Sequence, residues 1–562
     1  MKHSKKMFVF TSTILLFCLF SCKNKTPKPN PALASIDLKR GELLLCSTEQ
    51  FGEVSFSLDC NYEIREVFDL AVSLLHSFEY EEAEKVFVKV IDADPECAMA
   101  YWGVAMSIYH SLWAPPNAEV LEKGSKLIAI AQSLPKTEKA EQYVNAIGAF
   151  YKDWKTSDHH TRELLYEKKM ENIYLNSKDD PEAAVFYALA LTSSADANDK
   201  TYKNQKKAGA LLENLFKEQP NHPGIAHYII HSYDYPELAQ MGLSTARRYA
   251  KIAPASAHAQ HMPSHIFTRL GLWEESINTN INSAESAVCY AESYSPGAHW
   301  DEEIHAIGYL VYAYLQTGNN KMANEQYEYI KTFKEIFPPN FKIAYTFSAI
   351  PSRIALENKD WEKASKLQLP PSIEIPWEKF PWENSILNFA RTLGFSHLGK
   401  IKAAENELQI LKKHHQSLVG TDAYKANQVM IQINAAEAWI HLANGNKSEA
   451  LSLMKLAAKM ESETSKHPVT PGEVLPADEL LGDMLLELNK PEEALEAYEI
   501  NLKGHPNRFN GIYGAAIAAK QSGNNEKATR YFMQLIELTK NSNSDRPELG
   551  EAIAFIAKQA TI

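Results

Sequence analysis

The sequence predicts an all-α fold, a solenoid of helix-turn-helix repeats, on three observations. From residue 64 onward apolar residues recur at i, i+3, i+4 and i+7, which places them on one helix face, and period-2 alternation is nearly absent. The pattern returns every 34 residues. Small residues stand where two helices must approach closely, and prolines close the units where a helix must stop. The 562 residues, 45% hydrophobic and 23% charged, have ordinary globular usage. At about 100 to 200 residues per domain the length suggests three or four domains, unless the repeat makes the chain one long solenoid.

In chain order, residues 1–21 read as a lipoprotein signal peptide. Lys2, Lys5 and Lys6 give a positive start, and Met7 to Phe20 is an apolar stretch interrupted by Thr11, Ser12 and Thr13, short for a transmembrane helix. It ends in Leu19-Phe20-Ser21-Cys22, which resembles a lipobox whose cysteine is lipidated. The protein is therefore expected in a bacterial cell envelope, held to a membrane by lipid on Cys22 and facing the periplasm. Chain charge is −12, or −15 from Cys22 onward, which argues against nucleic acid as a partner. Residues 22–45 read as a tether, extended and solvated over Lys23 to Pro31, and residues 46–63 as a cap segment. Cys46 and Cys60 flank a strand-like stretch, GEVSFSLD, and an oxidising compartment makes a disulfide between them the expectation.

The repeats occupy the rest. In Ile64 to Cys97 the first helix carries the stripe Val67, Leu70, Ala71 and Leu74, and the second carries Ala83, Phe87 and Val90 before Pro95. Ala98 to Ala131 repeats the first stripe as Tyr101, Val104, Ala105 and Ile108. Pro223 to Ser256 and Ala257 to Tyr290 form a phased pair, as do Leu475 to Arg508 and Phe509 to Ser542. Looser units lie at Ile304 to Phe337 and Ile431 to Thr464. These units resemble the tetratricopeptide (TPR) repeat. The expected divisions are repeats over 64–290, irregular repeats over 291–466, a proline-rich connector at 467–474 and C-terminal repeats over 475–562.

In TPR proteins positions 2, 5, 9, 12 and 13 of each unit line a concave groove. His227 and His231 fall at positions 5 and 9 of one unit, His261 and His265 at the same positions of the next, with His258 at position 2 and Asp234 at position 12. Imidazoles one helical turn apart converge on one ion, so a single four-histidine site for zinc, copper or iron is expected. Pro263 requires the second helix to start close to residue 260 for this geometry. The HYIIH and HMPSH strings lack the glutamate of H-E-x-x-H, and no nucleotide-binding or hydrolase motif is present, so no catalytic residue is assigned. A second groove cluster comprises His76, Trp102, Met106 and His110, side chains suited to a peptide or apolar ligand unless the groove packs against residues 46 to 60.

The strings NHPGIAHYIIHSYDYPELA, APASAHAQHMPSHIFTRLGLWEESI and HPVTPGEVLPADELLGDMLL resemble a family of secreted or lipidated bacterial TPR proteins without an established activity. The resemblance implies an α-solenoid and an envelope location but no reaction. The function expected is a lipid-anchored, non-enzymatic scaffold binding a protein or peptide in its groove. The alternative is a metal-dependent enzyme or metal-handling protein built on the four histidines.

Overall fold

The structure, a computed structural model, describes residues 28–45, 50–56, 60, 62–113, 115–177, 179–196, 199–369 and 374–559. Cys22 and Cys46 lie outside these. The chain is a TPR-type α-solenoid: antiparallel helix pairs follow one another from Arg65–His76 and Tyr80–Ala93 to Phe509–Gln521 and Asn525–Thr539. One short parallel ladder joins His299–Trp300 to Ile336–Phe337. Among the described residues no helix is long and apolar enough to cross a membrane.

The predicted stripes are largely buried. Ala71, Leu74, Ala83, Phe87, Tyr101, Val104 and Ala105 have no exposed surface. Val67 is 37% exposed because the first helix turns Phe68 and Val72 inward instead. Apolar clusters run from Leu45 to Tyr290 and from Tyr345 to Ala552, the second taking in Val474 at the end of the proline-rich connector.

Three segments depart from expectation. Residues 33–45 are no free tether, since Leu33, Ile36, Leu38, Leu43 and Leu44 pack against the first core and Leu45 is buried. Cys60 is bonded to Cys97, with Cα atoms 5.1 Å apart, so the expected Cys46–Cys60 pairing does not form. Cys289 is disulfide-bonded as well. The connector inserts into the concave face: Val469, Thr470 and Gly472 are buried, and Gly472 accepts hydrogen bonds from Tyr345 Oη and Arg353 Nη2, both at 2.8 Å. Its two prolines, Pro468 and Pro471, cannot continue a helix, and their lack of N–H groups leaves fewer donors to satisfy inside the protein.

The C-terminal repeats meet the middle of the chain through polar contacts. Arg508 has no exposed surface and donates to Glu479, Glu357 and Tyr312, tying three repeats together. Gly271, at φ +64°, ends the helix Pro263–Leu270; a Cβ there would lie 2.3 Å from the carbonyl oxygen of Pro506.

Candidate metal centre

The helix Pro223–Tyr233 begins at a His222 cap, whose ring nitrogen accepts from the Ile225 N–H, with Pro223 in the first turn. The helix Ala257–His261 is capped by Ser256, whose hydroxyl accepts from the Ala259 N–H and donates to Glu79. It starts three residues before the expected position. Met262 keeps helical angles (φ −52°, ψ −36°), so the chain runs on into Pro263–Leu270 and His261 and His265 remain one turn apart. The proline costs one hydrogen bond without turning the second pair away.

The four histidines do not meet at one point. Each pair instead gathers a third imidazole, giving His227, His231 and His258 in one cluster and His261, His265 and His305 in another, with ligand atoms of each within 4.8 Å of one another. Two nitrogens on one tetrahedral ion at 2.0–2.1 Å stand roughly 3.3 Å apart. Within the pairs, His227 Nε2 lies 3.1 Å from His231 Nε2, and His261 Nε2 lies 3.1 Å from His265 Nε2. All six rings are buried, His227 and His261 completely.

Outer partners set the proton positions. His227 Nδ1 donates to the His76 carbonyl at 2.6 Å. His261 Nδ1 donates to Asn280 Oδ1 at 2.6 Å, and the Asn280 amide is oriented by its own Nδ2–H bond to the Ser276 carbonyl at 2.7 Å. His265 Nδ1 donates to Asp234 Oδ2 at 2.9 Å. Burial raises the Asp234 carboxyl, but Arg269 and His265 outweigh it and hold the carboxyl low, so it stays an acceptor. With Nδ1 protonated in both rings, His261 and His265 turn bare Nε2 lone pairs toward each other at 3.1 Å. Lone pairs at that distance repel unless a proton or a metal ion engages them. Desolvation, followed by the neighbouring imidazoles, pushes His227 and His261 well below the ordinary histidine range; burial likewise dominates for His231 and His305.

The triad of His76, Glu182 and His222 makes the contrast. His76 Nε2 and His222 Nε2 donate to the two oxygens of Glu182 at 2.9 and 2.8 Å. His76 Nδ1 accepts from Tyr228 Oη, and His222 Nδ1 caps its helix. Every ring nitrogen has a complementary partner, so this cluster is a satisfied structural network that fixes the His76 carbonyl under His227.

Around the two clusters stand residues that sequence reasoning missed. His305 occupies position 2 of its unit, as His258 does, so the repeat register contained its signal. Trp113 comes from a long inter-helix loop after Ser107, and its ring lies 5.6 Å from His258 and 4.7 Å from Lys342 Nζ. Phe78, at φ +57°, places its ring 4.3 Å from His227. A cleft of about 310 Å³, lined by Tyr202, Tyr235, Tyr424 and Lys425 among others, reaches inward to His231 and Asp234. Trp113, His231 and Pro468 line both this cleft and the inner cavity beside the histidines.

The second predicted groove is not an open surface. Trp102 and Met106 are 1% and 2% exposed, and Phe56 fills the space before Trp102 with ring centroids 5.6 Å apart. His76 is internal, while His110 is exposed and stacks on Tyr80. Asp234 is buried too, and Lys466 pairs with it at 2.7 Å as the connector enters.

Fold and site together define a helical-repeat protein with a buried polyhistidine centre. No protein-family model matches the sequence, and no curated protein matches it. Among solved structures the chain is similar to a human IFIT1 dimer with PPP-AAAA, at 13% identity and TM-score 0.35, covering 86% of this chain and 96% of that one. It is also similar to yeast Tom70, at 12% identity and TM-score 0.32, covering 88% and 96%. No residue of the site is carried over from either.

Proposed function

We propose that the protein is a metal-binding helical-repeat protein of the cell envelope. In this reading His227, His231 and His258 take one divalent transition ion, and His261, His265 and His305 take another. The observation that carries it is the pair of Nε2 atoms of His261 and His265 facing each other at 3.1 Å in a buried site, with an acceptor on each Nδ1. Neutral imidazoles suit zinc, copper and iron alike. Three histidines leave an open position, as metal sites that exchange ligands do, and the cleft to His231 supplies a route to it. Lipidation at Cys22 places this body on a membrane surface; Cys22→Ser is expected to leave an unprocessed precursor.

Metal analysis of the purified full chain tests the reading. About two equivalents of zinc, copper or iron are expected after reconstitution, falling to about one in His261→Ala/His265→Ala. No retained metal in the wild type after reconstitution with each ion sinks it. A second reading, capture of a peptide, is favoured by the tyrosine-lined cleft rather than by the filled groove.

A further inference from the structure

Glu302 has no role in the reading of two separate ions, yet it faces both clusters. It sits in the first turn of the helix Asp301–Gln316, three residues before His305. Its Oε1 accepts from Lys342 Nζ at 2.5 Å, and Asp301 also binds that ammonium, at 2.6 Å, so the lysine does not require both oxygens of Glu302. Oε2 is buried without a hydrogen-bond partner, 3.5 Å from His258 Nδ1. His258 is buried with neither ring nitrogen hydrogen-bonded. The two groups face each other only at the outer limit of a hydrogen bond, and His258 Nε2 has no partner at all, which leaves a buried imidazole and carboxylate oxygen for a ligand to engage.

The surroundings show which ligand. His231 and His258 of one cluster, His265 and His305 of the other, and Glu302 line a single inner cavity. Rings of the two clusters approach closely, His231 to His265 at 6.1 Å and His258 to His261 at 6.3 Å between centroids. The six imidazoles are uncharged ligands, and the charge of Asp234 is already answered by Arg269 and Lys466.

Building on the metal reading above, we propose that the two histidine clusters form one dinuclear centre, with Oε2 of Glu302 as a ligand shared by both ions. Two divalent ions with one carboxylate keep a surplus of positive charge, so the remaining positions select a small anion. The inner cavity measures about 10 Å³, close to the minimum room for one water. The shared exogenous ligand is therefore hydroxide, formed when bound water loses its proton to solvent; a divalent ion can bring that pKa to about 7.

The test loads the full mature chain with Cu(II) alone and measures copper content and electron paramagnetic resonance together. Two coppers per chain with an integrated signal well below two spins are expected, because ions sharing ligands couple magnetically. Glu302→Gln should weaken the second copper by about 10- to 100-fold or more, or restore the full signal. Glu302→Asp, which keeps the charge and shortens the reach, provides the second variant if the first misfolds, with restored signal expected. Two bound coppers with two full spins in the wild type overturn the shared centre and leave the metal reading standing. No bound copper here, together with no zinc or iron retained in the metal analysis above, overturns both. Unchanged coupling and affinity in a folded Glu302→Gln protein overturns the role of Glu302.

Discussion

Replacing Asn280 by leucine isolates the contact that prepares His261 for a metal. Asn280 is fully buried, accepts from His261 Nδ1 at 2.6 Å and is held in that orientation by Ser276. In the leucine variant the Nδ1–H loses its short acceptor and keeps only the Ser264 hydroxyl at 3.4 Å, so the proton can redistribute to Nε2 and the ligating lone pair is no longer guaranteed. Loss of such an outer partner costs about 10- to 100-fold in metal affinity, or roughly 1.4 to 2.7 kcal/mol. Only the site of His261, His265 and His305 should weaken, because the His227 ring is oriented by the His76 carbonyl. Competition between the protein and a chromophoric zinc chelator resolves the two equivalents. One is expected to shift by one to two decades while the other stays, and Asn280→Asp, which keeps an acceptor, should recover most of the loss. Both equivalents binding Asn280→Leu as tightly as the wild type would refute the tautomer argument.

Other parts of the molecule respond separately. Cys60→Ser with Cys97→Ser opens a loop of 37 residues, and should lower the stability of the N-terminal repeats by about 4 kcal/mol on chain-entropy grounds, read by denaturant melts with and without reductant. Arg508→Ala leaves Glu479 and Glu357 buried without their cation, so a loss of about 3 to 5 kcal/mol is expected, and Arg508→Met should cost less than Arg508→Ala if the penalty arises from packing rather than charge. Burial would raise Glu473, but its hydrogen bond and charge interaction with His505, 2.9 Å away, bring it down from 4.5 to about 2. That depressed value stabilises the fold above pH 4.5, and the contribution is lost as pH falls toward 2. Glu473→Gln should therefore melt lower than the wild type at pH 6, by up to about 3 kcal/mol, and converge with it near pH 2.

Local patterning alone was enough to read the repeat: the 34-residue period, the buried stripes and the pairing of His227 with His231 and His261 with His265 all follow from spacing along one helix or between two equivalent ones. Such periodicity reports which face a residue shares, and His227, His231, His261 and His265 are all buried. It cannot report how far apart successive helices stand or what enters the space between them. The expected single four-histidine cluster does not form for that reason, since each pair gathers its own third histidine, His258 from an adjacent helix start and His305 from a helix more than a repeat away. Cys60 paired with Cys97 rather than its nearer neighbour because the cap segment folds back onto the first repeat. The proline-rich connector reads as an open link by composition, yet it fills the concave face through Val469 and Gly472. Trp113 and Glu302 reach the histidines from a loop and a helix end with no periodic signature. Helix register is a short-range property written in side-chain spacing, whereas the entry of the connector and the convergence of two clusters on one cavity depend on contacts between segments tens to hundreds of residues apart.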